Sequence, residues 1–158
     1  MKKIILLIIL STGLLLSIGC NDDSVSILKE QNIEIQDYLA ENGWLDDAIP
    51  IGDSSVWYVI DVEGTGIDTP TVSSTVTVHY EGRLLDDTKF DSSIDRGQPF
   101  ISSLQNVIEG WQIGIPLFKK GGKGKLFITS EKGYGDSNHN SIPQNSVLYF
   151  EIELIDFD

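Results

Sequence analysis

Residues 148–155, Leu148-Tyr149-Phe150-Glu151-Ile152-Glu153-Leu154-Ile155, decide the fold class of this 158-residue chain. Side chains of an extended strand point to opposite faces in turn. Leu148, Phe150, Ile152 and Leu154 therefore share one face, and Tyr149, Glu151 and Glu153 share the other. One dry face and one wet face is the pattern of an antiparallel sheet packed on a single side. Working outward, the same period recurs at 75–80, where Val76, Val78 and Tyr80 oppose Thr75, Thr77 and His79. It recurs at 123–130, with Leu126 and Ile128 on one face, and a β-rich run covers 56–62. Glu63-Gly64-Thr65-Gly66 is a turn rather than a phosphate loop, since neither Lys-Ser nor Lys-Thr follows it and no helix opens there.

One short helix interrupts the strands. Asn106 suits an N-cap with Glu109 three places on, as in a capping box. Val107, Ile108, Trp111 and Ile115 then fall on one face, and Pro116 stops the helix. Strands with one helix laid across them predict an α+β architecture.

The N-terminal part has a different composition. Lys2 and Lys3 precede an apolar run, 4–16, that is too short for a comfortable membrane span and fits the apolar core of a signal peptide. Cys20 is the only cysteine, which excludes an internal disulfide. Its place behind Leu16-Ser17-Ile18-Gly19 resembles a bacterial lipobox, with Ser17 where leucine is usual. The expectation is a signal peptide at 1–19 and lipidation of Cys20. A lipidated tether, accessory helix and linker then occupy 20–55, and the folded domain 56–158. The accessory helix is predicted over 26–42, where Leu28, Ile35, Tyr38 and Leu39 form a stripe and Gly43 supplies the C-terminal cap. Residues 44–55 read as linker.

Charge narrows the function. There are 11 Lys+Arg against 24 Asp+Glu. So acidic a chain lacks the basic footprint that nucleic acid requires, and it is repelled by anionic lipid unless an acyl anchor holds it. His79 and His139 have no metal-ligand spacing to any partner, so no metal is expected. No Gly-x-Ser-x-Gly elbow occurs. The carboxylate pairs at 22–23 and 86–87 are explained by tether and turn.

What the chain offers is aromatics at element ends and in loops: Tyr80, Phe90, Phe100, Trp111, Tyr134 and Phe150. With their neighbours they resemble a family. Val78-His79-Tyr80-Glu81-Gly82, Lys89-Phe90-Asp91-Ser92-Ser93 and Arg96-Gly97-Gln98-Pro99-Phe100 look like segments of the FKBP-type prolyl isomerases. So do Val107-Ile108-Glu109-Gly110-Trp111, Gly133-Tyr134-Gly135 and 142–150. Their order and spacing match from about Val56 to Phe157.

The resemblance implies an antiparallel half-barrel of five or six strands wrapped on the short helix, with an apolar pocket between them. It implies Trp111 as the floor and Tyr80, Phe90, Phe100, Val107, Ile108 and Phe150 as the walls. Asp91 sits at the rim, bonded to Tyr80 or to Arg96. The Ile108 N–H and the Tyr134 hydroxyl grip substrate carbonyls. Asp91, Tyr134, Ile108 and Trp111 are thus the expected catalytic set.

The implied activity is cis–trans isomerisation of Xaa-Pro bonds in proline-containing polypeptides of the cell envelope, with no cofactor. Macrolide immunosuppressants are possible ligands. The alternatives are a proline-binding chaperone of low activity and a subunit of an envelope complex. Two departures from the family bear on specificity. Ser102 replaces a large apolar residue, which should open one side of the pocket, and the loop 136–141 is polar. His139, in that loop, is a candidate for the rim.

Overall fold

The computed structural model describes residues 23–158. The expected signal peptide, 1–19, and the expected lipidation site, Cys20, lie outside the described residues. Helix α1 (Asp23–Glu41) is followed by strands β1 (Ile49–Ile51), β2 (Val56–Val62), β3 (Thr75–Leu84), β4 (Lys89–Ser92) and β5 (Phe100–Ser103). The short helix α2 (Glu109–Gly114) and strands β6 (Lys123–Ile128) and β7 (Leu148–Phe157) complete the order. All strands join one antiparallel sheet in the order β1-β2-β6-β7-β3-β4. β5 pairs with residues 75–78 of β3 and β4 with residues 81–83, so the two lie in line along one edge of that long strand.

The expected α+β architecture is present: an antiparallel sheet with one short helix against it. The sheet has seven strands because part of the stretch read as linker, Ile49–Ile51, pairs with β2 at the edge.

The inner face carries the main core. Val76, Val78, Leu126, Ile128, Leu148 and Leu154 are all fully buried there, with Trp111, Ile115 and Phe118 packed over them. α2 lies unusually close to the sheet. A Cβ on Gly110 would collide with the Ile128 side chain, and one on Gly114 would come within 2.6 Å of Leu126. Two glycines four residues apart share one helix face, so α2 presents a bare stripe to β6.

The expected capping box at Asn106 does not form. Leu104–Asn106 is a turn of 3₁₀ helix, Ile108 occupies the cap position, and no side chain caps α2. Glu109 is the first helical residue, and its carboxylate pairs with Lys132 at 2.9 Å. The chain runs extended through Val107 (φ −113°, ψ 171°), which places Asn106 too early to reach the helix. Pro116 falls in a 3₁₀ turn, Ile115–Leu117, that ends the helix as expected.

The outer face departs from the alternation argument. Tyr149, predicted wet, is 2% exposed. It belongs to a second core with Trp57, Phe127, Val147, Ile35 and Leu39, made where α1 lies on the outside of the sheet. Ile35 and Leu39 are both 0% exposed, and each such side chain stabilises the docking by about 1.5–3 kcal/mol. Tyr149 stacks on Phe127 at 4.9 Å and 6°, with Tyr38 and Trp44 tilted against both. Glu151, further along β7, is exposed as predicted.

α1 ends where Gly43 takes φ +72°. The Gly43 N–H donates to Ala40 and the Trp44 N–H to Leu39, the two bonds of a Schellman cap. Polar contacts seat the helix as well. The Trp57 indole donates to Asn32 at 2.8 Å, and the Tyr38 hydroxyl donates to Asp87 at 2.8 Å.

Candidate functional site

Alternation along β3 and β7 turns Tyr80 and Phe150 inward, and α2 brings Trp111 beneath them. The ring centroids of Tyr80 and Trp111 are 5.1 Å apart, those of Trp111 and Phe150 5.3 Å, and those of Phe100 and Trp111 6.1 Å, all edge to face. Phe90, from β4, meets Phe150 at 5.5 Å. That crossing requires Gly82 on β3, since a Cβ there would approach the Phe90 ring to 2.5 Å and the Phe150 ring to 2.9 Å. Edge-to-face contacts of this kind hold each ring in a fixed orientation and add about 0.5–1.5 kcal/mol per pair beyond burial.

The rings enclose a cavity of about 580 Å³. Every residue expected at the site lines it: Tyr80, Phe90, Asp91, Phe100, Val107, Ile108, Trp111, Tyr134 and Phe150. Trp111 is 4% exposed and its indole N–H has no partner among the described residues.

Two further donors, on residues that line the cavity, have no hydrogen-bond partner among the described residues. The Ile108 N–H is one, because the chain is extended there and the helix has not yet begun. The Tyr134 hydroxyl is the other. Burial, and then the Asp91 charge, push the Tyr134 phenol above its ordinary pKa, and the protonated phenol is available as a donor at neutral pH.

The polar rim is a triad of Tyr80, Asp91 and Arg96. The Tyr80 hydroxyl donates to one oxygen of Asp91, Arg96 pairs with the other oxygen, and Arg96 Nη2 donates to the Tyr80 oxygen at 3.0 Å. The Ser92 N–H adds a bond to Asp91 at 2.8 Å. Both partners the sequence offered for Asp91 are therefore engaged at once. Burial alone would raise the Asp91 carboxyl, but the bonds from Tyr80 and Arg96 outweigh it and hold the pKa below the usual aspartate value. Burial and the bond to Asp91 push Tyr80 up to about 12. Backbone support comes from Ser93, whose hydroxyl accepts the Tyr80 N–H at 2.8 Å in the gap between β4 and β5.

Ser102 lies in β5 opposite Val76, its hydroxyl donates to the Ser103 carbonyl at 3.0 Å, and it is not among the residues that line the cavity. The polar loop does reach the cavity: His139, Asn140 and Ser141 line it, and His139 stacks on Tyr134 at 4.2 Å and 6°. Ile142 and Asn106 are lining residues that sequence reasoning left unassigned. Ile142 carried a signal, as the one large apolar side chain at the end of a polar loop.

The arrangement can take a proline-sized apolar group against the aromatic rings, with polar groups at the edge of the cavity for carbonyl oxygens. Comparison with known proteins agrees with this chemistry. The family model described as FKBP-type peptidyl-prolyl cis-trans isomerase matches residues 67–155. A protein from Aeromonas hydrophila, named FKBP-type peptidyl-prolyl cis-trans isomerase FkpA, is 42% identical over 120 residues, which is 76% of this chain and 44% of that one. FK506-binding protein 1A from Aspergillus fumigatus is 46% identical over 95 residues, 58% of this chain and 85% of that one. A crystal structure of FkpA from Escherichia coli superposes with a TM-score of 0.72 at 33% identity, covering 86% of this chain and 63% of the other. The chain spans under half the length of the FkpA relatives it matches in sequence.

Proposed function

The chain belongs to the FKBP-type peptidyl-prolyl cis-trans isomerase family, and from that premise we propose that it accelerates rotation about Xaa-Pro bonds, assisting the folding of polypeptides exported to the bacterial cell envelope. Amide resonance opposes the rotation with a barrier of about 18–20 kcal/mol. Twisting the bond removes the charge separation of that resonance, so the transition state is less polar than the planar ground state. A dry aromatic hollow binds the twisted form better than the planar one, and this differential binding lowers the barrier. No covalent bond forms or breaks, so the proposal calls on no nucleophile and no cofactor.

In this reading the proline ring rests on Trp111, between Tyr80, Phe90, Phe100, Val107 and Phe150. The Ile108 N–H and the Tyr134 hydroxyl hold the carbonyl oxygens that flank the twisting bond. Asp91 fixes the Tyr80 ring and sets the charge at the rim. The observation that carries the proposal is the convergence of these aromatics on one cavity over the Trp111 indole. The decisive experiment is exchange NMR or a protease-coupled assay on Xaa-Pro peptides with the folded chain. Acceleration over the uncatalysed rate is expected, with inhibition by a pocket-filling macrolide; a rate equal to background refutes it.

The setting is part of the same proposal. Residues 1–19 act as a signal peptide, and Cys20 carries the acyl chains that hold the protein on an envelope membrane. Residues 20–55 form the tether and accessory segment, and 56–158 the isomerase domain. Each buried CH₂ of an acyl chain contributes about 0.8 kcal/mol to membrane attachment. Mass spectrometry of detergent-extracted protein should find a diacylated or triacylated Cys20 at the N-terminus. A Cys20→Ala chain that stays equally membrane-bound refutes the anchor.

A further inference from the structure

Gln31 is an unexpected residue on the buried face of α1. It is 4% exposed, beside Ile35 and Leu39, where an amphipathic helix ordinarily places an apolar side chain. Its amide is fully used. Nε2 donates to Ser130 Oγ at 3.0 Å and to the Asn145 carbonyl at 2.8 Å. Oε1 accepts from the Ser130 N–H at 3.0 Å and from the Ser130 hydroxyl at 3.3 Å. The amide orientation follows from the network, because a flipped amide would set two donors against the Ser130 N–H and an acceptor against the Asn145 carbonyl.

Ser130 and Asn145 are the two stems of the loop between β6 and β7. The Ser130 carbonyl accepts the N–H groups of Gly133 and Gly135, on either side of Tyr134, at 3.0 and 2.8 Å. The Gly135 carbonyl in turn accepts the Asn145 N–H at 2.9 Å. One glutamine on the outer face of the sheet therefore ties together the departing and returning ends of the segment that carries Tyr134, His139 and Ile142 to the cavity on the inner face.

We infer that Gln31 is a positioning residue for the cavity: α1 sets the pose of the loop bearing Tyr134 through this four-bond latch, and so tunes how the Tyr134 hydroxyl meets substrate. The inference rests on the isomerase reading for its catalytic consequence, while the latch itself has a readout that needs no catalysis. Without the amide, the Ser130 N–H and the Asn145 carbonyl lose their buried partners, and the loop is freed to open locally.

The test compares Gln31→Met, which keeps the side-chain length without the hydrogen bonds, with Asn32→Ala, which on the same helix removes one of the two acceptors of the Trp57 indole and touches neither stem. Both are made in the full chain. Amide hydrogen exchange is read at Gly133, Gly135 and Asn145, alongside kcat and KM on an Xaa-Pro peptide. Gln31→Met is expected to speed exchange at these amides on the order of tenfold, since their local opening no longer has to break the latch. It should lower kcat several-fold (about three to ten), as loss of alignment does, with KM changed less. Asn32→Ala should leave loop exchange and kcat within about twofold of wild type. Equal exchange in Gln31→Met and wild type overturns the inference, as does an equal rise in Asn32→Ala. Should Gln31→Met fail to fold, Ser130→Ala deletes only the hydroxyl and must give a smaller rise at the same amides; no rise overturns the latch. A wild-type chain without isomerase activity refutes the isomerase reading, and the exchange rates still decide the latch.

Discussion

Replacing Asp91 with alanine isolates what the rim triad contributes. Asp91 and Arg96 have side chains 42% and 41% exposed, so their ion pair is screened and contributes about 0–1 kcal/mol. Tyr80 differs, being 7% exposed. Its hydroxyl keeps the Arg96 donor at 3.0 Å but loses the one acceptor its own proton has among the described residues. An orphaned buried donor costs about 1–3 kcal/mol. The sum is about 2 kcal/mol, most of it from Tyr80 rather than from the ion pair. It leaves the domain folded, because such domains have about 5–15 kcal/mol of stability.

The cycle with Tyr80→Phe checks the partition. In the Tyr80→Phe background Asp91→Ala should cost only about 0.5–1 kcal/mol, since only the screened pair and the Ser92 bond remain to be lost. A coupling of about 1 kcal/mol or more is therefore expected from urea unfolding followed by tryptophan fluorescence. Additive effects of the two substitutions would refute the assignment of Asp91 as the clamp on Tyr80. Isomerase activity should fall in Asp91→Ala and be partly retained in Asp91→Asn, which keeps an acceptor.

Three other outcomes follow from the geometry. Asp91 is held below its ordinary value of 3.8, so its stabilising contribution is present above that pH and fades as pH falls through the lower, folded value; acid unfolding of Asp91→Asn should show a shallower pH slope. Tyr80 is raised from 10.0 to about 12, so its neutral form contributes fully below pH 10.0 and that contribution is lost as pH climbs through about 12; Tyr80→Phe should flatten the alkaline loss of Tm. Gly110→Ala, whose added methyl meets Ile128, should destabilise by about 1–3 kcal/mol through overpacking, measured by denaturant midpoint, and a neutral result would mean that α2 is free to lift from β6.

The long strands were legible because period-two alternation is a local signal: 56–62, 75–80 and 148–155 each lie on observed strands, and 123–130 overruns its strand, which ends at Ile128 before a 3₁₀ turn begins at Ser130. Three short strands were not. Ile49–Ile51 is three residues with a central Pro50, and β4 and β5 have four each, too few to establish a period. The capping box failed because its residue types are necessary for the motif but not sufficient, and the extended Val107 breaks the spacing. The dry outer face at Tyr149 was half visible. A helix with Ile35, Tyr38 and Leu39 in a stripe needs a partner surface, and Tyr149 and Phe127 supplied it without breaking the alternation. The cavity aromatics were readable from motif order. Gln31 was not, since a glutamine in an amphipathic helix reads as solvent-facing until its partners, 99 and 114 residues away, are known.

β6 and β7 are committed on both sides. Leu126, Ile128, Leu148 and Phe150 belong to the cavity side, while Phe127, Val147 and Tyr149 belong to the helix side. A slip of one residue in either strand would send every member of one set to the opposite side. An ordinary half-buried strand has one set of packing constraints against such an error; these two have a second, imposed by α1. Docking of α1 thus adds a second energetic penalty against misalignment of these two strands.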